Sequence, residues 1–525
     1  MKSFTKLTAN FCRIMVFIYL TFMAVVFPFY LTNGYRSAGT DKSMFFRYAG
    51  IGLLVTVLPG ALICLIFCLK QEGMQKWIRR IPVSDGFLLG YLLVTLVSYF
   101  CSENREEAFF GTSGWYIGLV TQAIYVASYF FISRFLAGGK WILLFFALSS
   151  SVTFVLGILN RFSVYPLKLE GATNYFIATL GNINWFCGYW SVFFAAAAGF
   201  FYKSRKAALW KRFLLMLYLA LCAATGAVQG SDSALLVFAG VMLTLFVLSA
   251  QDLASRQSFY ATLLVLCAAC QLMRVICIRF PQAMNYESTV TALMVNGNLT
   301  LIVGIAALLL GLLAGDLRKR QAELSVFLQT ERWMVLGLLG LLLVLYVVLL
   351  VKNTNHPGSI GRLSGIGAFT FQAGWGSYRG VTWTAGLKVF SEQSLLHQLV
   401  GIGPDSFAYG VYRDGSGAAD MVREVFGKSR LTNAHNEWIT VLVNTGCLGW
   451  ITYAGFFLTK AVRFLKPDEE ECRDRQAAFA LGLALIGYMS NNIFSFQQVL
   501  NGPFVFIALG MAEAYFRKCR QEVFS

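Results

Sequence analysis

Long apolar runs separated by short polar stretches dominate the chain. Windows of ~19 residues, the length that detects membrane helices, pick out about fourteen apolar segments. These segments lie near 11–32, 48–69, 85–101, 115–134, 141–160, 176–201, 213–229, 232–249, 258–278, 298–315, 332–351, 434–462, 476–494 and 501–516. Most approach the ~20 residues that a helix needs to cross a bilayer. The pattern therefore predicts an all-α polytopic membrane protein with about 12–14 transmembrane helices.

Composition agrees with a membrane protein. Hydrophobic residues make up 57% and charged residues 13% of the 525 positions, whereas a soluble domain carries roughly 25% charged residues. The first run, FCRIMVFIYLTFMAVVFPFYL, is too long for the core of a signal peptide and has no small-residue cleavage site. We therefore expect it to remain as the first span.

The net charge of +17 is explained by the connections between the spans. When the spans are counted in order, the basic clusters fall on alternate connections and so share one side of the membrane. They comprise Lys70, Lys76, Arg79, Arg80, Lys203, Arg205, Lys206, Lys211, Arg212, Arg318, Lys319, Arg320, Lys466, Arg473, Arg475, Arg517, Lys518 and Arg520. Because Lys and Arg accumulate on the cytoplasmic side, we expect both termini there. This reading of the charge predicts no nucleic-acid partner.

One connection is far longer than the others. Residues 352–433 separate an N-terminal bundle of about eleven spans, 1–351, from about three C-terminal spans, 434–525. The charge pattern predicts that this loop is extracytoplasmic. It is rich in glycine, aromatic and basic residues, and short helices are expected at Val381 to Phe390 and Ala418 to Phe426. Such a loop suits an anionic ligand with a sugar or lipid portion; the alternative is a solvated surface loop with incidental charge.

The three histidines, His356, His397 and His435, lie in or beside this loop. His435 stands where the loop gives way to an apolar run, so we expect it on the first turn of a span, with Asn433 as the cap. Free N–H groups and the positive dipole end there attract anions and lower the pKa of an imidazole. A neutral His435 could accept a proton. A purely structural role at the interface is equally consistent with the sequence.

The cysteines point to packing rather than chemistry. Most of the 12 lie inside predicted spans, and Cys267 and Cys270 form a CxxC pattern within an apolar run. A metal or redox role needs polar partners, which the neighbouring sequence does not supply. We therefore expect no metal site there.

The stretch RGVTWTAGLKVF…LVGIGPDSF…AHNEWITVLVNTGCLGW resembles the signature domain of the O-antigen ligase and O-antigen polymerase family of membrane glycosyltransferases. That signature has an arginine before W-x-x-A/G-L, then a G-x-G with a phenylalanine, then H-[NS]-x-x-L and a closing G-x-x-G. The matching residues are Arg379, Trp383, Leu387, Gly401, Gly403, Phe407, His435, Asn436, Gly446 and Gly449. Upstream, TLGNINWFCGYWS and FFGTSGWYIGLV are similar to two further family segments, through Gly181, Asn182, Asn184, Gly111 and Gly118.

The resemblance implies a fold like the GT-C-like lipid-glycan transferases and an enzyme of the bacterial cytoplasmic membrane. Its donor is a glycan on undecaprenyl pyrophosphate, and its acceptor is a glycan, lipid or wall polymer. Transfer inverts the anomeric carbon and uses no metal ion, nucleotide or other cofactor. The implied catalytic residues are His435 and Arg379. The implied substrate-binding residues are Asn436, Arg362, Arg430, Trp383, Asn182 and Asn184.

Two positions depart from the family pattern. Asp232 in QGSDSALLV stands where many relatives carry arginine, and Trp115 stands where many carry a basic residue. A phosphate contact is then missing or is supplied by another arginine, the candidates being Arg362, Arg430, Arg47, Arg105 and Arg161. A divergent or inactive relative also fits. The alternative class is a lipid-glycan flippase or other polysaccharide transporter, although internal repeats and mid-span charges typical of transporters are not evident.

Overall fold

The computed structural model describes residues 2–75, 81–466 and 472–519. Helices dominate these residues, and one short antiparallel pair, β1 (Phe176–Ile177) with β2 (Gly181–Asn182), is the sheet found among them. The fold class predicted from the apolar pattern, an all-α polytopic architecture, is therefore confirmed at this level. Of the basic positions used to orient the chain, Lys76, Arg79, Arg80 and Arg520 lie outside the described residues.

Helices α1 to α12 precede the long loop. They are α1 Lys2–Thr21, α2 Ala38–Glu72, α3 Val83–Cys101, α4 Arg105–Phe110, α5 Leu119–Phe135, α6 Gly139–Arg161, α7 Ile183–Lys203, α8 Leu209–Val228, α9 Ser233–Leu248, α10 Leu253–Arg279, α11 Leu299–Lys319 and α12 Ser325–Asn355. A short helical turn, Thr289–Thr291, precedes α11.

Helices α13 to α16 belong to the loop, and α17 to α19 follow it. They are α13 Trp375–Ser391, α14 Leu395–Val400, α15 Phe407–Tyr412, α16 Ala418–Phe426, α17 Glu437–Leu465, α18 Arg473–Asn491 and α19 Gly502–Cys519. The loop helix expected at Ala418 to Phe426 is confirmed with those bounds, and the one expected at Val381 to Phe390 is confirmed as part of α13.

Eleven helices in the described part of the chain are long and apolar enough to cross a membrane. The other three predicted spans correspond to helices α5, α18 and α19. Helix α5 has 17 residues, which is about 26 Å at 1.5 Å per residue and just short of a ~30 Å hydrocarbon core. Helices α18 and α19 carry charged residues near their ends and are almost entirely covered by neighbouring helices. Enclosed helices need less apolar surface because they do not face lipid.

One hydrophobic core joins helices from both ends of the chain, including Trp190 of α7, Phe456 of α17 and Phe504 of α19. Glycines allow the backbones to approach closely, as is common between membrane helices. A Cβ added to Gly199 of α7 would lie 2.7 Å from the Cα atom of Ala480 in α18. The C-terminal helices therefore pack inside the N-terminal bundle.

The loop has a small core of its own. It is formed by Ala385, Val389, Ile402, Phe407, Val411, Ala418, Val422, Leu431, Ala434 and Val443. Buried Asp405 fastens this unit to the bundle, since its carboxylate accepts hydrogen bonds from the backbone N–H groups of Thr112 (2.7 Å) and Ile117 (3.1 Å). The loop is thus a folded unit docked on the ends of the membrane helices.

Buried ion pairs tie together α3, α5, α17 and α19 at the end of the bundle away from the loop. Lys460 lies 3.2 Å from Asp85 and 2.8 Å from Glu513, and all three side chains are fully buried. Arg134 contacts Asp85 at 2.6 Å, and Arg517 contacts Glu513 at 3.0 Å. Buried charges are tolerated when they are paired in this way.

Candidate functional site

His435 lies between the loop and α17, outside the helix. Its backbone has a positive φ of 48°, an uncommon conformation for residues with side chains, in which asparagine, aspartate and histidine are enriched. Its N–H donates to Oδ1 of Asn433 (2.9 Å), which closes a tight turn. The turn holds the imidazole at the start of the span rather than along its side.

The prediction that His435 occupies the first helical turn, capped by Asn433, is wrong. Helix α17 begins at Glu437, and Asn436 caps it by accepting a hydrogen bond from the Ile439 N–H at 3.0 Å. Asn436 was predicted to bind substrate. Its Nδ2 atom donates to the carbonyl oxygen of Ile493 (3.0 Å), so both polar ends of this side chain hold the fold.

The imidazole of His435 is neutral at physiological pH. Burial lowers the pKa of His435 from 6.5 to about 4, and the positive charge of Arg379 lowers it further. The predicted direction is therefore confirmed, but the causes are burial and a neighbouring cation rather than the dipole of a helix that contains His435. A neutral imidazole can accept a hydrogen bond from a hydroxyl group.

Arg379 is held beside His435 by the first half of α13. Three consecutive residues, Gly376, Ser377 and Tyr378, have left-handed backbone conformations, so the regular helix starts at Arg379. The guanidinium donates through Nε (3.2 Å) and Nη2 (2.7 Å) to the carbonyl oxygen of Phe494. Its Nη1 donates to the Gly376 carbonyl oxygen (2.7 Å). Each terminal nitrogen retains a second N–H that makes no hydrogen bond to the described residues, so the side chain can still bind an anion.

Aromatic rings surround Arg379. The guanidinium lies 5.1 Å from the ring centre of Phe494, and Trp383, one turn after Arg379, stacks on the same ring at 5.8 Å. The indole nitrogen of Trp383 is buried without a hydrogen-bond partner among the described residues. Arg379, Trp383 and Leu387 follow one another at four-residue intervals along α13, and Leu387 is exposed.

A second aromatic group covers the imidazole. Phe496 meets His435 edge to face at 5.5 Å and Trp115 at 4.9 Å. Trp115 in turn contacts Trp185 at 5.3 Å and donates its indole N–H to Oγ1 of Thr432 (2.6 Å). Trp115, which replaces a basic residue expected from the family pattern, therefore forms a wall of the site.

The asparagines of the upstream segment lie at the start of α7. Asn182 caps α7 by accepting a hydrogen bond from the Asn184 N–H at 2.9 Å. Oδ1 of Asn184 accepts a hydrogen bond from Ser231 (2.6 Å), the residue before Asp232. Asp232 is exposed, and its charge raises the pKa of Arg379 against the larger lowering effect of burial. The charge of Asp232 in the N-terminal bundle therefore acts on Arg379, and Asn184 binds the residue before Asp232.

The other candidate arginines are mostly engaged elsewhere. Arg430 makes a two-pronged ion pair with Glu107 at 3.0 and 3.2 Å. Arg161 is buried and donates to the carbonyl oxygens of Gln229 and Asn174. Arg362 is exposed and forms no hydrogen bond or ion pair with the described residues. Arg47 donates to the carbonyl oxygen of Phe110 and Arg105 to that of Phe100 (3.5 Å). Arg379 is therefore the best-placed cation beside His435.

Sequence reasoning missed the segment between α18 and α19. The first half of this connection, 492–496, supplies the Phe494 carbonyl oxygen and ring to Arg379 and the Phe496 ring to His435. The signal was present in the run NNIFSFQQVLN, where amides, serine and two phenylalanines interrupt two apolar helices. Polar residues between two membrane helices indicate a connection whose backbone and amide groups are bound by other parts of the protein.

The arrangement combines a cation with spare donors, a neutral hydrogen-bond acceptor and aromatic walls. The guanidinium suits phosphate oxygens, which it can bind through parallel N–H groups. The imidazole suits a hydroxyl group, and aromatic faces suit sugar rings or prenyl chains. The site can therefore hold an anionic leaving group and a hydroxyl nucleophile side by side.

No family model matches the chain, and no curated protein matches it. The resemblance to the O-antigen ligase and polymerase family consequently rests on the quoted motifs, and membership stays a prediction. The contacts among Arg379, Phe494, Phe496 and His435 do not depend on that resemblance.

Proposed function

We propose that this protein is a membrane glycosyltransferase with a GT-C-like architecture. It transfers a glycan from an undecaprenyl-pyrophosphate-linked donor to an acceptor hydroxyl at the outer face of a bacterial cytoplasmic membrane. The acceptor belongs to a glycan, a lipid or a wall polymer, and the reaction is inverting and independent of metal ions. The observation that carries this proposal is the pairing of a neutral histidine with a partly buried arginine where a folded loop meets the end of a membrane span.

In this proposal Arg379 binds the pyrophosphate. Its guanidinium is fixed by the Phe494 carbonyl oxygen, so little side-chain freedom is lost when an anion binds. As the bond between the anomeric carbon and the phosphate oxygen breaks, negative charge grows on the leaving pyrophosphate. A fixed cation that meets this charge stabilises the transition state more than the ground state.

In the same proposal His435 accepts a hydrogen bond from the acceptor hydroxyl. The hydroxyl oxygen attacks the anomeric carbon from the face opposite the leaving pyrophosphate, which inverts the configuration. A pKa of about 4 makes His435 a weak base in the free protein. Because the charge of Arg379 contributes to that low value, an anion bound to Arg379 offsets it and makes the imidazole more basic. Donor binding thereby prepares His435 for proton transfer.

The alternative, a lipid-glycan flippase, finds less support. Transporters place ionisable groups near the middle of the bilayer. Here the buried carboxylate of Asp85 is the third residue of α3, and it is paired with Lys460 near the last turns of α17. These charges hold helix ends together, whereas Arg379 and His435 lie at the opposite end of the bundle. A transport function does not explain why Arg379 and His435 are paired at that end.

Purified protein distinguishes the two classes directly. In detergent, a lipid-linked donor and a candidate acceptor should yield a lengthened acceptor and free undecaprenyl pyrophosphate, because a transferase does not need a sealed membrane. In liposomes, the protein should not speed the movement of labelled donor between leaflets. Movement of donor without transfer would favour the flippase and contradict the proposal.

A further inference from the structure

Glu437 is the first residue of α17 and lies two positions after His435, yet its side chain is 2% exposed. The described residues offer its carboxylate no basic partner. Instead it accepts hydrogen bonds from the hydroxyl groups of Tyr453 and Tyr488 and from Nδ2 of Asn492. The Tyr488 hydroxyl lies 3.1 and 2.9 Å from the two carboxylate oxygens. Burying a carboxylate is costly, so a group held in this way needs a structural or functional reason.

The donors to Glu437 come from three parts of the C-terminal region. Tyr453 lies in α17, Tyr488 in α18 and Asn492 just after α18. Gln497 extends the network, because it donates to the Tyr453 hydroxyl (3.2 Å) and accepts from Gln122 of α5 (2.6 Å). The carboxylate therefore joins α17 to the connection between α18 and α19.

The connection held by Glu437 is the segment that contacts the candidate site. The Glu437 N–H donates to the Asn492 carbonyl oxygen (3.0 Å), so backbone and side chain both bind this residue. Two residues later, the Phe494 carbonyl oxygen receives the Arg379 guanidinium. Four residues later, Phe496 covers the His435 ring. Displacing Asn492 would consequently disturb both catalytic candidates.

We propose that Glu437 is a positioning residue: through Asn492 it fixes segment 492–496, and this segment holds the Arg379 guanidinium and the His435 imidazole in their relative positions. The catalytic meaning of this inference rests on the proposed function. The geometric part does not, because it concerns contacts within the free protein. A carboxyl side chain suits the role, since its two oxygens can accept hydrogen bonds from several donors at once.

The protein contains only three histidines, which makes the geometric part measurable without an activity assay. With histidine labelled in carbon and nitrogen, three imidazole signals are expected in NMR spectra of the detergent-solubilised chain. Variants His356→Gln and His397→Gln assign them. The His435 signal should titrate with a pKa of about 4 in the otherwise unchanged protein.

Glu437→Met removes every acceptor oxygen while keeping a side chain of similar length. We expect the His435 pKa to rise toward the ordinary value of about 6.5, because the ring loses the cover of Phe496 and the guanidinium loses its fixed anchor. Glu437→Gln retains one acceptor oxygen for Asn492, so the His435 pKa in this variant should stay closer to the wild-type value than in Glu437→Met. If transfer activity is established, Glu437→Met should lower kcat more than it raises KM for the donor.

A matched control is Asp41→Ala. Asp41 is also a buried carboxylate held by neutral donors, namely the Thr32 N–H, the Thr32 hydroxyl and the Ser37 hydroxyl, each at 2.7 Å. Its loss should lower thermal stability but leave the His435 pKa unchanged. Asn492→Ala cuts the same link from its other side and replaces Glu437→Met if that variant does not fold.

A folded Glu437→Met or Asn492→Ala protein whose His435 still titrates near pH 4 would overturn the inference. An equal shift in Asp41→Ala would also overturn it, because the effect would then be general destabilisation. Absence of glycan transfer by the wild-type chain would count against the proposed function alone.

Discussion

The Thr382 hydroxyl donates a 2.8 Å hydrogen bond to the carbonyl oxygen of Ala434. Thr382 lies in the first turn after Arg379, and Ala434 directly precedes His435. A single contact therefore fixes the helix that carries the cation against the turn that carries the imidazole. These two elements are separated by more than 50 residues along the chain. The small core of the loop packs against both and holds them side by side.

The first prediction concerns the pH dependence of transfer. Because the pKa of His435 in the folded protein is about 4, the imidazole is neutral throughout the range from pH 8 down to pH 5. At low donor concentration, kcat/KM should stay flat over this range and fall near pH 4. A fall in kcat/KM already near pH 6.5, the ordinary histidine value, would contradict the partly buried position of His435 beside Arg379.

The stability of the folded protein should also depend on pH through the protonation of His435. The folded chain binds a proton at His435 less readily than the unfolded chain, so the unfolded state gains stability as the pH falls from about 6.5 toward 4. We expect this part of the pH dependence of thermal unfolding to disappear in His435→Asn. Differential scanning measurements across that range check it.

The second prediction concerns Arg379. Arg379→Lys keeps the charge but loses the planar set of donors that binds both the Phe494 carbonyl oxygen and a pyrophosphate. We expect weakened donor use in Arg379→Lys and almost no transfer in Arg379→Ala. The measurement is initial transfer rate against donor concentration in detergent.

Arg423→Ala is the control for this experiment, since Arg423 is an exposed loop arginine that pairs with the exposed Asp420 at 3.6 Å. It should transfer at close to the wild-type rate. Unchanged donor binding and transfer in Arg379→Ala, combined with a loss in Arg362→Ala, would move the phosphate role to Arg362.

The third prediction concerns communication between the two residues. An anion paired with Arg379 offsets the positive charge that helps to lower the His435 pKa. Adding a short-chain prenyl pyrophosphate should therefore raise the His435 pKa observed by NMR. The same ligand should leave the signal in Arg379→Ala unchanged. A ligand that binds the wild-type protein without moving the His435 titration would contradict this coupling.

The fourth prediction concerns orientation. The basic clusters predict that loop residues 352–433 face the outside. In a background without reactive native thiols, Ser429→Cys on the exposed loop surface should react with an impermeant thiol reagent in intact cells. Glu323→Cys, exposed on the basic side, should react only after lysis.

The reverse labelling pattern would place the loop in the cytoplasm. The cysteine pair at Cys472 and Cys519 gives a second readout, because it lies on the basic side and is joined as a disulfide in the structure. Disulfides persist in oxidising compartments and are rare in the cytosol. A disulfide at this pair in cells would favour the reverse orientation, and free thiols there would support the predicted one.

Much of the fold followed from the apolar pattern because membrane helices are long and continuous. The loop helix Ala418–Phe426 was predictable for a related reason, since Ala418, Ala419 and Val422 recur at helical spacing and are buried. Helices α5, α18 and α19 were harder to classify as spans. Their neighbours cover them, so their sequences carry charges and polar residues that lipid-facing helices avoid.

Arg379 and His435 were named from the motif in the sequence, but the contacts that hold them side by side were not predicted. The start of α17 was placed too early because both Asn433 and Asn436 can cap a helix, and only the left-handed backbone at His435 decides between them. Phe494 and Phe496 were missed because they lie more than 50 residues from His435, at the end of the predicted span 476–494 and in the connection after it. Long-range contacts of this kind have no periodic signal in the sequence.

Glycan transfer by a matched pair of histidine variants tests the catalytic role of His435 most directly. His435→Asn removes the imidazole while keeping a residue that tolerates the left-handed backbone; His397→Asn makes the same change at a loop histidine whose ring contacts the Cys101 carbonyl oxygen outside the site. With purified protein, undecaprenyl-pyrophosphate-linked donor and acceptor, His435→Asn should lose about 10²–10⁴-fold in transfer rate, and His397→Asn should stay close to wild type. Near-normal transfer by a folded His435→Asn protein would contradict a catalytic role for His435.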